Sequence, residues 1–95
     1  MRLGWSNLAR AELQALRRSF VERRGRDVGR RYLEDLWAAA NLVSAEPLRA
    51  RPLRDPFHIF RCRSHCLIVR VDAGADRVTV ARLLLVAMDI ERHLD

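Results

Sequence analysis

Apolar residues in the first half of the chain recur at helical spacing. Ala9, Leu13, Leu16 and Phe20 stand four, three and four residues apart, one face of an amphipathic helix. Glu12, Gln14, Arg17 and Arg18 fall largely off that face. Ser6 sits where an N-cap belongs, and Arg24-Gly25 offers a stop, with glycine able to take a left-handed cap. After Asp27, a candidate second cap, comes the stripe Val28, Tyr32, Leu36, Ala40 and Val43, widened by Leu33, Trp37 and Ala39. Glu46-Pro47 ends it, because a residue before proline disfavours the α region. Two stripes joined by a few residues predict an antiparallel helical hairpin.

The second half changes period. Arg2–Trp5, Phe57–Cys62, Cys66–Asp72 and Arg77–Leu84 read as strands. The turns between the last three are Arg63-Ser64-His65 and Ala73-Gly74-Ala75-Asp76, where glycine supplies backbone freedom. Residues 47–56, PLRARPLRDP, show no period and read as a connection. From about Val86 a short helix is allowed, with Ile90 and Leu94 four apart. The order β-α-α-β-β-β-α implies an α+β domain, with the hairpin packed on one face of a mostly antiparallel sheet.

Alternate strand residues share a face. Leu67, Val69 and Val71 therefore oppose Cys66, Ile68 and Arg70. Val78, Val80, Arg82 and Leu84 oppose Arg77, Thr79, Ala81 and Leu83, and Arg61 travels with Phe57 and Ile59. Arg61, Arg70 and Arg82 can then gather on the face away from the helices. Alternatively each pairs with a nearby acid such as Asp72, Asp76 or Asp89.

Composition narrows the class. The 95 residues, read as one domain over 1–95, are 49% apolar, enough for a folded core. No apolar run approaches the roughly 18 residues that cross a bilayer, and the first residues lack the apolar core of a secretory signal, so a cytoplasmic protein without membrane contact is expected. The net charge is +6, and all 18 basic residues are arginine. A G+C-rich genome is the bland explanation for that bias. Residues 47–70 hold six Arg against the single acid Asp55, a net +5, whereas residues 71–95 hold three Arg against five acids, a net −2. Concentrated guanidinium groups suit phosphate or carboxylate partners, hence nucleic acid, an acidic protein, or both.

His58, Cys62, His65 and Cys66 form a short cluster of metal-ligand types. Their spacing matches no compact zinc site, and no metal or cofactor is expected. A three-residue loop at 63–65 would set Cys62 opposite Cys66, but a reducing cytosol disfavours their disulfide. Trp5, Phe20, Tyr32 and Trp37 divide between core and partner surface, with Trp37 at the stripe's edge. Direct nucleic-acid binding is not favoured: no helix carries a clustered basic face, and the strands offer only Phe57 and Phe60 for stacking.

From Pro52 to Asp89 the residues become specific: Leu53 before Pro56-Phe57, then Arg61, Ser64-His65, the run Leu67 to Val71, the run Val80 to Leu84, and Met88-Asp89 with Arg92 and Leu94. This stretch resembles the ParE branch of the RelE/ParE superfamily, the toxins of bacterial type II toxin–antitoxin pairs. Trp5 before Ser6-Asn7-Leu8-Ala9, and Tyr32 with Leu36, extend the resemblance to the N-terminal half. It implies a cognate ParD-like antitoxin wrapped on the hairpin, with Leu13, Leu16, Phe20, Tyr32, Leu36 and Trp37 as its contacts. It also implies DNA gyrase as the target, with Arg61, Arg70, Arg82, Met88, Asp89 and Arg92 facing it. RelE-like members instead cleave mRNA on the ribosome, and the superfamily commonly carries His just before Met-Asp. Leu85 occupies that place here, so the resemblance implies a gyrase poison with no catalytic residue. The runner-up is a RelE-like mRNA interferase; a small basic nucleic-acid-binding module or a non-toxic homologue follows.

Overall fold

In the computed structural model, which describes residues 1–94, two helices lie across one face of a five-stranded sheet. The elements are β1 (Arg2–Trp5), α1 (Asn7–Arg24), α2 (Arg26–Ala45), β2 (Arg51–Arg54), β3 (Phe57–Cys62), β4 (His65–Asp72) and β5 (Arg77–Leu85). Short 3-10 turns occupy Pro47–Arg49 and Ile90–Leu94. The sheet order is β1-β5-β4-β3-β2. Only β1 runs parallel to its neighbour, β5. The α+β class and the hairpin are as expected. Two elements differ.

Part of the 47–56 connection is strand β2. It is an edge strand, where Pro52 costs no central ladder bond, and its single half-buried side chain, Leu53, leaves no alternation to read. The expected C-terminal helix is only a 3-10 turn, the form short helical pieces commonly take.

Ser6 caps α1: its Oγ accepts from the Ala9 amide at 3.0 Å and donates to the Ala81 carbonyl at 2.7 Å, tying the helix start to β5. Gly25 alone separates the helices, at φ 86° and ψ 167°, a region essentially reserved for glycine. Asp27 is therefore not the cap; it lies in the first turn of α2, where its charge favours the positive end of the helix dipole. At Gly29 a Cβ would come within 3.1 Å of the Phe20 Cβ, a mark of how closely the helices approach.

The main core lies between hairpin and sheet, with Leu36, Val43, Leu67, Val69, Val78 and Val80 fully buried. The other sheet face is also covered. Cys66, Ile68 and Leu84 lie there beneath Ile90, Leu94 and Val86, flanked by Leu53, Phe57 and Ile59.

Two register details correct the strand phases. A bulge between Ile68 and Val69 pairs Ile68 with Arg82 but Val69 with Val80. The extra residue moves Arg82 and Leu84 to the face away from the helices and Leu83 to the core face, against strict alternation. At the β3–β4 turn Cys62 pairs with His65, so the loop is the two residues Arg63-Ser64, with Arg63 at φ 56°. Cys62 and Cys66 then lie on opposite faces, both free. At the β4–β5 turn it is Asp76, not Gly74, that takes positive φ, at 51°, while Asp72 Oδ1 accepts from the Ala75 amide at 3.1 Å.

Candidate functional site

The hairpin carries a groove of about 1180 Å³ between α1 and α2. Leu13, Val21, Leu33 and Trp37 give it an apolar floor, and Arg17, Arg18, Arg26 and Arg30 stand among its walls with Glu22, Asp27 and Glu34. Trp37 is 44% exposed, its ring 4.9 Å from that of Trp5. An open apolar strip rimmed by charge suits an amphipathic helix. Of the six residues expected to face an antitoxin, Leu13 and Trp37 line this groove. Leu16 and Phe20 pack partly buried against the core. Tyr32 and Leu36 are a correction: at 6% and 0% exposure they are core, because the α2 stripe turns its centre to the sheet and only its edge outward.

Beneath the hairpin end lies a polar knot. The Tyr32 hydroxyl is 2.6 Å from His65 Nδ1 and accepts from the Ser64 amide at 3.2 Å. Phe20 stacks on the Tyr32 ring at 4.5 Å, and the Arg63 guanidinium sits 5.0 Å from the ring centroid. Arg63 is ion-paired to Asp35, and Cys62 Sγ lies 3.7 Å from the Asp35 carbonyl. Burial pulls the His65 pKa below its ordinary 6.5. Burial, with a further push from the Asp35 charge, raises the Cys62 thiol; burial also raises Cys66, against the pull of Arg61. Both thiols therefore stay protonated and are poor nucleophiles. His58, Cys62 and His65 share the core face and Cys66 does not. Among the described residues no group of three His, Cys, Asp or Glu could hold a metal ion.

Pairing puts Arg61, Arg70 and Arg82 on the face away from the helices. They do not merge into one basic surface, for the cluster around Ile68 and its C-terminal cover lie on the same face. Arg61 and Arg70 are exposed. Arg82 is held by Glu12, with Nη2 at 2.9 Å, rather than by Asp72, Asp76 or Asp89. Met88 is 41% exposed, and Asp89 pairs with Arg92 at 3.4 Å on the surface. Arg49, Arg51 and Arg61 line a smaller cleft of about 390 Å³ with Cys66, Val86 and Ile90. Leu85 pairs with His65 and is 44% exposed.

Residues 3–90 match the sequence profile of the ParE toxin of the type II toxin–antitoxin system parDE. The chain belongs to the ParE toxin family. Solved structures of ParE and related toxins share its fold. A chromosomal ParDE toxin–antitoxin system from P. aeruginosa superposes with a TM-score of 0.80 at 18% identity, covering 90% of this chain and 96% of that one. The toxin–antitoxin complex RelBE2 from Mycobacterium tuberculosis gives 0.69 at 24% identity, covering 88% and 95%. A YoeB/ParE toxin from Agrobacterium tumefaciens gives 0.64 at 17% identity, covering 90% and 98%. Comparison with curated proteins finds no match. Among the described residues of this ParE-family chain, no helix is long and apolar enough to cross a membrane.

Proposed function

We propose that residues 1–95 form one toxin domain that acts in the cytoplasm by poisoning DNA gyrase and is silenced by a cognate ParD-like antitoxin. The family match over residues 3–90 carries the reading. The hairpin groove supports the antitoxin part: its apolar floor and charged walls fit an amphipathic segment laid along α1 and α2. The choice of gyrase poison over ribonuclease rests on the sheet's available acid–base groups. A general base must reach the reacting oxygen. Tyr32 and His65 hold each other in the core at 6% and 7% exposure, and the exposed side chain at the end of β5 is Leu85. Arg61, Arg70, Met88, Asp89 and Arg92 remain accessible to a target.

Induction of the chain in a bacterial host tests this reading. The expected result is growth arrest with a DNA-damage response and trapped gyrase–DNA complexes, relieved by co-expression of the antitoxin. Arrest with rapid mRNA cleavage would overturn it in favour of an interferase using the Arg49–Arg51–Arg61 cleft. Absence of arrest would show a non-toxic homologue.

A further inference from the structure

A chain of side-chain hydrogen bonds joins the two covered faces of the sheet. Glu12 of α1 takes Arg82 with both carboxylate oxygens, Oε1 and Oε2 each 3.2 Å from Nε and Oε2 2.9 Å from Nη2. Its Oε1 also accepts from the Leu83 amide at 3.0 Å, filling the β5 edge beyond the end of β1. The other arm of the same guanidinium donates to the His93 carbonyl at 2.6 Å. His93 belongs to the 3-10 turn whose Ile90 and Leu94 cover the second apolar cluster. Glu12 and Arg82 are each 19% exposed, so the pair is sheltered from the screening that makes surface pairs weak. Glu12 is adjacent in sequence to Leu13, which lines the hairpin groove.

We infer that Glu12 and Arg82 are a latch through which α1 holds the C-terminal segment closed over Cys66 and Ile68, so that displacing Glu12 frees a strap on the far side of the sheet. Coupling can be carried by a chain of hydrogen-bonded side chains, and here one runs from the first helix to the C-terminal turn through two residues. The latch is independent of which target the toxin strikes.

The Cys66 thiol reports the strap. It lies 4% exposed beneath it, whereas Cys62 lies on the opposite face. Alkylation of the folded full chain is followed at each cysteine by fragmentation mass spectrometry of a chymotryptic peptide that holds both, since trypsin, cutting at Arg61 and Arg63, would leave Cys62 in a dipeptide. Glu12→Gln weakens the hold on Arg82 at constant size. Arg82→Lys keeps an ion pair with Glu12 but cannot also reach the His93 carbonyl. Each variant is expected to speed Cys66 labelling about tenfold or more while leaving Cys62 at its wild-type rate. Should Glu12→Gln unfold the chain, Arg82→Lys carries the test alone. Unchanged Cys66 labelling in Arg82→Lys, or equal acceleration of both thiols, overturns the latch.

Discussion

The Tyr32 hydroxyl lies 2.6 Å from Nδ1 of His65 and closes the space between α2 and the β3–β4 turn. The same oxygen accepts from the Ser64 amide, which leaves its own proton free for Nδ1 of a neutral imidazole protonated at Nε2. Tyr32→Phe removes both interactions and strands a buried acceptor and a backbone donor. The expected cost is about 1–3 kcal/mol, read as a lower urea midpoint at unchanged slope. A midpoint within error of wild type would show the knot to be energetically idle.

His65 makes that knot sensitive to acid. Burial lowers its folded-state pKa below the ordinary 6.5, so the native state resists a proton that the unfolded chain takes up. Stability is therefore full above the ordinary value and falls as pH drops from there toward the folded-state pKa, below which this contribution levels off. Urea unfolding at pH 7.5 and pH 5.5 measures the loss. His65→Gln, which can still accept from Tyr32 but does not titrate, is expected to shrink the difference between the two pH values.

Leu36 and Trp37 are neighbours in sequence with opposite burdens. Leu36→Ala opens a cavity in the main core and is expected to cost about 2–5 kcal/mol of stability. Trp37→Ala loses a half-exposed ring and its contact with Trp5, about 1 kcal/mol. Antitoxin affinity measured calorimetrically should reverse the order, with the tryptophan variant losing about 2 kcal/mol or more and the folded fraction of the leucine variant binding normally. Equal binding by the Trp37 variant and wild type would move the docking site off this groove.

Gly25→Ala places a Cβ at φ 86° and ψ 167°, where side chains are rarely tolerated. The expected cost is about 1–3 kcal/mol, seen in the melting temperature of the whole domain because the two helices share that one residue as their joint.

The helices were legible because their signals are local. The Ser6 cap, the 9–20 stripe and the Gly25 stop lie within a few turns of what they control, and they correctly gave a hairpin on a sheet. The strands were legible where they alternate. Errors arose where the determinant is distant: β2 reads as coil because its regularity comes from pairing with β3, and Arg82 changes face because of a bulge against Ile68 on another strand. The candidate surfaces divide in the same way. Trp37 could be placed at the edge of its stripe by spacing, but Tyr32 and Leu36 lie on the same stripe and only packing shows that they point inward. Glu12 gave no signal, since its partner lies 70 residues along the chain.

The parallel pairing of β1 with β5 joins Arg2 to Arg77 and Trp5 to Val80. During synthesis the first strand therefore has no mate until Arg77–Val80 has been made. The hairpin, built from near neighbours, can form early, but the sheet is completed late, as expected for pairing between distant segments. Surfaces that depend on a finished sheet, the strap over Cys66 among them, come into existence only then. A nascent chain thus lacks those surfaces until Arg77–Val80 has been made and paired with β1.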